Sequence, residues 1–472
     1  MPSRDFKSAR AVAAEVLREF NPARDYAGPV LDRLLDQTDQ RQRTTDLVYG
    51  TLRNLNALDA VIAQFSGQPT SRIASALRSI IRIAVYELAY SPATPVYSIV
   101  NEAVNNAGQA GGKKQTGFVN AVLRQIARHI TDRQIDLSKA NPRQTLIQAA
   151  QTGCQFDTDF LPDPVTSLPA HLSTCFSLPL WLVSDWLNDF EPEQTRQICL
   201  ACNRRPSLYL RVNARRTTAK ALLWRFEGAD VHAEPVALGG IVKAEGLGDG
   251  LVLPDMIRIM GPHAVTQLPG FSEGLFTIQD LSASQAVRIL APQPGWWILD
   301  LCSAPGTKTT QLAEATRDSA RITATDIDSE RLNRVQENIA RLGPKSVTLV
   351  PYAQLEQGRT ELFDAVLLDA PCSNTGVLAR RVEARFRVKP KAVKEIAATQ
   401  KALLAKAAGL VKPGGRICYS TCSIQRQENQ NVIQEFLTLN SKFALMREHL
   451  ILPSADPFDH DGAYVALLTR GS

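Results

Sequence analysis

Two cysteines stand in matching settings along this chain. In "FDAVLLDAPCS" an apolar run ends on Asp369, a proline stiffens the turn and Cys372 follows; in "GRICYSTCS" another apolar run leads to Cys422. A serine follows each cysteine. Near-continuous apolar runs read as parallel strands covered on both faces, and ligands in such folds sit at the carboxyl ends of the strands. Both thiols are therefore expected to line one cleft, with Asp369 beside them. A thiolate is an effective nucleophile, and a free thiol is only a few per cent ionised near neutrality, so its surroundings must activate it. Either cysteine alone would more often be structural. The pair suggests covalent catalysis in which one thiol attacks and the other assists release, and spacing does not say which does which.

A third segment, "ILDLCSAPGTKTTQLAE", reads as a strand ending near Cys302, a tight turn through Ser303, Ala304, Pro305 and Gly306, and a helix opening at Thr307 and Lys308. Its small residues let a ligand approach the backbone and face a helix N-terminus. Neither G-x-G-x-x-G nor G-x-x-x-x-G-K-[ST] is present, which speaks against a dinucleotide and against a phosphate loop. A nucleoside cofactor without phosphates, S-adenosylmethionine, fits better. Asp326 lies 20 residues after Gly306, where an acidic side chain can accept hydrogen bonds from a ribose diol. Arg331 joins it as a cofactor-side residue, and Asp328 reads as a helix cap.

A thiol beside S-adenosylmethionine has a specific use. Carbon 5 of a pyrimidine is too weak a nucleophile to take a methyl group unaided. Thiolate addition at carbon 6 gives carbon 5 enamine character, so that it attacks the sulfonium methyl; a base then removes the carbon-5 proton and the thiolate is expelled. Asp369 is placed to hydrogen-bond the ring nitrogen and favour its protonation.

The elements that position these residues follow from periodicity. With 472 residues, 44% hydrophobic and 21% charged, the chain is too long for one core. Residues 1–131 are helical: Val12, Val16, Leu17 and Phe20 share one face, as do Leu77, Ile80, Ile81, Val85 and Leu88. "NNAGQAGGKKQTG" reads as a basic loop. Residues 132–170 read as a polar linker with some helix, and 171–262 as a helical and α+β module that includes strands in "GGIVKAEGLGDGLVL". Arginines 204, 205, 211, 215 and 216 fringe that module, as solvated surface or as a grip on phosphates. From 263 to 472 short apolar strands alternate with helices, a doubly wound Rossmann-like α/β domain closed by an antiparallel pair.

The net charge is +6, and residues 1–131 carry 16 Lys/Arg against 11 Asp/Glu, which suits a polyanionic partner. Eight cysteines are too sparse for a disulfide scaffold. "CLAC" (Cys199, Cys202) has no further ligands near it and reads as helix interior, so no metal is expected. No apolar run approaches the ~20 residues that cross a bilayer, and the first residues lack a secretory pattern. A cytoplasmic, monomeric protein without membrane contact is expected.

The motifs "LDLCSAPGTKTTQLAE", "ATDIDSERL", "LLDAPCSNTGV" and "YSTCSIQRQEN" resemble those of RNA 5-cytosine methyltransferases of the RsmB/Sun/Fmu group. The likeness spans nearly the whole chain. The N-terminal helices resemble the antitermination factor NusB, the middle resembles the group's RNA-binding linker, and "QLPGFSEGLFTIQDLSAS" resembles its lead-in to the catalytic domain. The resemblance implies small-subunit (16S) ribosomal RNA as substrate, naked or in an early assembly particle. It makes Cys422 the nucleophile and Cys372 the releasing group, and implies cofactor contacts from Cys302 through Lys308 and from Asp326 and Asp369. Three departures stand out. Thr307 replaces the second glycine of the family turn, and Tyr352 occupies about the place of an Asp on the adenine side, where a ring can stack. The family's His-Pro-Asp segment is replaced by "RRVEARFRVKPK", whose Arg380, Arg381, Arg385 and Arg387 read as an RNA-contacting loop. Two other readings use the same residues: an RNA-binding assembly factor without turnover, and a nucleotide hydrolase built on "GTKTT".

Overall fold

The computed structural model describes residues 6–237, 252–355 and 362–471. The chain forms two compact units, one of residues 1–204 with 378–387, the other of residues 205–377 with 388–472. The first unit begins with α1 (Ala9–Glu19), α2 (Ala27–Leu34), α3 (Arg41–Arg53), α4 (Leu55–Ser66), α5 (Ser75–Tyr90), α6 (Val96–Gly111) and α7 (Lys113–His129). Ser8 caps α1 through a hydrogen bond from the Ala11 N–H, which satisfies one of the donors a helix start leaves free. The expected apolar stripes meet in one core: Val12, Val16 and Phe20 pack with Leu77, Ile80, Ile81, Val85 and Leu88.

Two expectations fail in this unit. The segment read as a basic loop is helix, since α6 runs to Gly111 and α7 starts at Lys113. The only break is Gly112, at φ 85°, a value that glycine reaches without a steric cost. Alanine and glutamine on either side are good helix formers, and they outweigh the glycines. Residues 132–170, read as linker, carry the antiparallel sheet β1 (Ile130–Asp136), β2 (Thr145–Ile147), β3 (Thr152–Phe156), ordered β1-β3-β2. Its strands are too short and irregular to alternate visibly, and the pairing that makes them strands is non-local. Helices α8 (Leu168–Cys175), α9 (Leu180–Asp189) and α10 (Pro192–Asn203) follow. Cys199 and Cys202 are buried on α10.

The second unit opens with β4 (Leu208–Val212), α11 (Ala219–Glu227), β5 (Ala233–Ala237), β6 (Val252–Ile259) and β7 (Phe276–Ile278), an antiparallel sheet ordered β5-β6-β4-β7. Most of "GGIVKAEGLGDGLVL", where further strands were expected, lies outside the described residues. Then come α12 (Gln285–Leu290), β8 (Trp297–Asp300), α13 (Thr307–Ala315), β9 (Arg321–Ala324), α14 (Ser329–Leu342), β10 (Val347–Leu349) and β11 (Phe363–Asp369). The short α15 (Ala384–Arg387) falls in the segment belonging to the first unit. After it come α16 (Pro390–Leu410), β12 (Val411–Thr421), α17 (Gln430–Leu439), β13 (Phe443–Ile451) and β14 (Ala463–Arg470).

The large sheet is ordered β10-β9-β8-β11-β12-β14-β13. Its first five strands are parallel, and β14 runs antiparallel to both neighbours, as the doubly wound reading expects. Alternate residues serve opposite faces. Val366, Leu368, Ile417 and Tyr419 belong to one core cluster; Ala365, Leu367 and Cys418 belong to the other. The order reverses between β8 and β11, and the crevice at that switch point is where such sheets bind ligands. Among the described residues no helix is long and apolar enough to cross a membrane.

The structure corrects the RNA-contact expectation for Arg385. It is buried, and its guanidinium donates to the carbonyls of Arg53 (2.8 Å), Phe176 (3.2 Å) and Cys202 (2.8 Å) and to the Asn203 side chain (2.8 Å). Those groups sit at the C-terminal ends of α3, α8 and α10, where carbonyls lack intrahelical donors and the helix dipole is negative. One cation thus caps three helices. Burial lowers its pKa to about 10, still cationic at neutral pH. Arg387 is spent similarly, on the carbonyls of Pro22 (3.1 Å) and Asp25 and over the Tyr26 ring. A basic run looks alike in sequence whether it faces solvent or carbonyls. Of the four arginines, Arg381 is exposed and Arg380 half-buried.

Arg385→Ala strands the buried carbonyls and is expected to cost about 2–5 kcal/mol, read as a lower denaturant midpoint. Arg385→Lys recovers little, because one ammonium lacks the planar fork that reaches three helix ends.

Candidate functional site

The turn after β8 is held by its neighbours. The Ser303 N–H donates to the Thr325 carbonyl (2.9 Å), and the Ala304 N–H donates to Asp326 Oδ2 (3.2 Å). Gly306, at φ 96°, leads into α13, and a Cβ there would lie 3.0 Å from Val335. Glycine is required by both the left-handed backbone and the close approach of α14. Thr307 and Lys308 form the first turn of α13, both half-buried. Asp326 lies two residues beyond β9, buried, with Arg331 at 3.5 Å. Asp328 accepts from the Glu330 and Arg331 N–H groups, so it is the cap that the sequence suggested. Directly after Asp326, Ile327 is 80% exposed, an apolar residue in the turn between β9 and α14 that the sequence reading passed over.

The polar atoms of this turn are incompletely satisfied. Asp300 Oδ2 accepts from Thr309 Oγ1 (2.6 Å), whereas Asp300 Oδ1, Ser303 Oγ and Thr325 Oγ1 are buried with no hydrogen-bond partner. Orphaned buried oxygens are costly and mark a place built for a ligand's donors. Burial pushes the Asp300 carboxyl up to about 7, and pushes the Cys302 thiol up with help from the carboxylates of Asp300, Asp326 and Asp369. Tyr352 stands after β10, half-buried, with the Lys406 ammonium 4.0 Å from its ring centroid.

Register brings the other residues in. Asp369 pairs with Ser420 across β11 and β12, and its Oδ1 accepts from Ser420 Oγ (3.2 Å). Its Oδ2 accepts from Lys308 Nζ (2.6 Å), which ties the helix after the β8 turn to the cysteine strands. Burial lowers the pKa of Lys308, but the charge and hydrogen bond of Asp369 outweigh that and raise it overall. A few residues beyond, Cys372 Sγ and Cys422 Sγ are 3.2 Å apart. The hydrogen bond to Cys422, then burial, raises the pKa of Cys372 well above the usual thiol range. The Cys422 thiol donates to Asn374 Oδ1 (3.3 Å), and Asn374 Nδ2 donates to the Cys372 carbonyl (3.1 Å). Asn374 sits at φ 61°, a region asparagine tolerates better than most residues. Asn374 was missed in the sequence; "NTG" after the cysteine was the available signal, a left-handed turn at a strand end.

Basic residues of the central module do not form a phosphate grip as a group. Arg211 is buried and donates to Glu314, Gln279, Thr310 Oγ1 and the Thr307 carbonyl. Arg215 pairs with Asp318 at 2.7 Å, and Arg216 donates to the Glu273 and Arg341 carbonyls.

Two outcomes follow from this geometry. Gly376 is wedged between the turns: a Cβ would lie 2.7 Å from the carbonyl oxygens of both Cys422 and Gly462. Gly376→Ala should cost about 1–3 kcal/mol, read as a lower melting temperature. Asp300 has its folded value raised from 3.8 to about 7. The folded chain therefore binds a proton that the unfolded chain has lost, and this contribution to stability declines as pH rises from about 4 to about 7. Asp300→Asn should flatten that slope in melting temperature measured between about pH 4 and about pH 8.

Comparison with known proteins supplies the family. Residues 287–459 match the family model of the 16S rRNA methyltransferase RsmB/F, residues 7–128 match the NusB family, and 178–242 match the RsmF/B-like ferredoxin-like domain. The chain is 31% identical over 484 residues to the ribosomal RNA small subunit methyltransferase B of Serratia proteamaculans, covering 99% of each. It is 32% identical to the probable ribosomal RNA small subunit methyltransferase B of Synechocystis sp., covering 91% of this chain and 89% of that one. The fold matches the crystal structure of PH0851 with a TM-score of 0.71 at 22% identity, covering 99% of this chain and 100% of that one. With a NusB-type helical domain, a Rossmann-like domain and this likeness along its whole length, the chain belongs to the RsmB/F family of small-subunit ribosomal RNA methyltransferases.

Proposed function

We propose that the protein transfers a methyl group from S-adenosylmethionine to carbon 5 of a cytosine in small-subunit ribosomal RNA, through a covalent adduct with Cys422. The observation that carries this reading is the contact of two thiols, 3.2 Å apart, at the carboxyl ends of adjacent strands. Asp369, bonded to Lys308, links them to the cofactor turn.

The residues around that turn fit the cofactor. Asp300 Oδ1, Ser303 Oγ and Thr325 Oγ1 are oriented polar atoms in search of partners, and Cys302 to Lys308, Asp326, Arg331 and Tyr352 complete the cradle. Ile327 adds an exposed apolar surface there. When bound, S-adenosylmethionine supplies an electrophilic methyl group.

The side chains divide the remaining work. The Cys422 sulfur forms a bond to carbon 6, and the ring's electron pair moves toward its N3, which takes up a proton. Asp369 hydrogen-bonds that nitrogen, held in place by Lys308 and by Ser420. Carbon 5 becomes nucleophilic. N3 then gives its proton back to solvent, Cys372 as a thiolate takes the carbon-5 proton, the electron pair of that C–H bond restores the 5,6 double bond, and the sulfur–carbon 6 bond breaks to release Cys422 as a thiolate. The assignment of attack to Cys422 and of release to Cys372 follows the family resemblance of the two cysteine motifs. A target cytosine must leave its stack to reach such a cleft. Arg380 and Arg381 remain candidates for phosphate contact, and the particle or naked RNA is the partner.

Labelled methyl transfer to unmethylated small-subunit RNA tests the scheme. Wild type is expected to transfer, Cys422→Ala to lose at least about a thousandfold, and Cys372→Ala to accumulate an adduct that survives denaturation. Transfer by Cys422→Ala would overturn the assignment of the nucleophile. RNA binding without transfer or adduct by any of the three would favour a binding factor.

A further inference from the structure

Each cysteine is followed by a serine, and both serines turn inward to one carboxylate. Glu428 is completely buried, at the end of a short 3₁₀ turn, Arg426–Glu428. Its Oε2 accepts from the Ser373 N–H (2.8 Å) and from Gln400 Nε2 (3.2 Å). Its Oε1 accepts from Ser423 Oγ (3.0 Å) and Ser373 Oγ. The backbone carbonyl of Glu428 accepts from the Tyr419 hydroxyl (2.6 Å), and Gln400 Nε2 also donates to the Pro371 carbonyl (2.8 Å). The carboxylate is thus pinned on its own side while it holds the residue next to Cys372 and the residue next to Cys422.

We propose that Glu428 is the positioning residue for both thiols: one buried carboxylate gathers the two cysteine-bearing turns and keeps their sulfurs in contact. It does not reach the cleft itself, so it acts through Ser373 and Ser423. The physical basis is the cost of an unmet buried charge. Four donors converge on two oxygens, so parting the turns at Ser373 and Ser423 would leave the carboxylate short of partners; the Gly376 N–H to Cys422 carbonyl bond (2.9 Å) and the Thr375–Ser423 hydroxyl contact (3.0 Å) join the same turns beside it. Strand pairing sets the two turns side by side to within a residue. The clamp sets them to within the sulfur contact, the precision that a shared reaction centre needs. The inference rests on the two-thiol reading of the site.

The test uses the full chain and a readout that does not depend on methylation. With diamide as oxidant, the two thiols give up two protons and two electrons and join as a disulfide, at a rate set by how often the sulfurs meet. Mass spectrometry of the Cys372–Cys422 peptide pair follows the reaction. Glu428→Gln is expected to slow it about tenfold or more, while iodoacetamide alkylation of Cys372 and of Cys422 each changes less than about twofold. Methyl transfer should fall about ten- to a hundredfold in kcat with KM for RNA and cofactor unchanged. Cross-linking at the wild-type rate overturns the clamp. Should Glu428→Gln fail to fold, the Ser373→Ala/Ser423→Ala double variant removes two of the donors; the same slowing is expected, and its absence overturns the proposal equally. If cross-linking slows but Cys422→Ala still methylates, the clamp stands and the nucleophile assignment falls, so the two failures are distinguishable.

Discussion

The pairing of β11 with β12 is the constraint on which the site depends. Asp369 lies opposite Ser420, so the chain leaves both strands at the same level, and Cys372 and Cys422 emerge within reach of each other. A slip of one residue would turn alternate side chains to the other face of the sheet, and Val366, Leu368, Ile417 and Tyr419 would leave the core they share. Hydrophobic burial therefore fixes the spacing of the two thiols: the residues that hold the register lie in the core.

A second layer of control is electrostatic. Lys308, on α13, meets Asp369 at 2.6 Å, which couples the turn after β8 to the end of β11 across the switch point of the sheet. Arg211 works from the other side, its guanidinium bonded to Glu314 and to the Thr307 carbonyl on α13. The small antiparallel sheet that carries Arg211 is in this way bonded to α13. Buried ion pairs seldom add much stability in themselves; here they fix the place of a helix and of a carboxylate.

The arginines show how differently the same residue type is used. Arg385 gathers three helix C-termini, Arg387 bonds the carbonyls of Pro22 and Asp25, and Arg211 is enclosed beside α13. Each looked like an exposed cation in sequence. Arginine presents five donors in a rigid fork, and backbone carbonyls at helix ends and loops satisfy that fork as well as phosphates do. Composition counts charge, but it does not count the acceptors that folding brings near.

By itself the sequence determined the local elements and the chemistry they carry. Period-3.6 stripes gave the N-terminal helices, continuous apolar runs gave the parallel strands, and the two cysteine turns, Asp326 and the small-residue turn at Gly306 were legible because strand ends and tight turns have local signatures. Tertiary structure decided what depends on distant partners. The sheet within residues 130–156 exists only through pairing, and the loop expected near Gly111 became helix. Asn374 and Glu428 joined the site because folding brought residues some 50 positions apart, such as Ser373 and Glu428, into contact. The serines after the two cysteines were plain in the sequence. Their purpose was not, because a hydrogen bond to a buried carboxylate is a property of the folded neighbourhood and leaves no periodic trace in the chain.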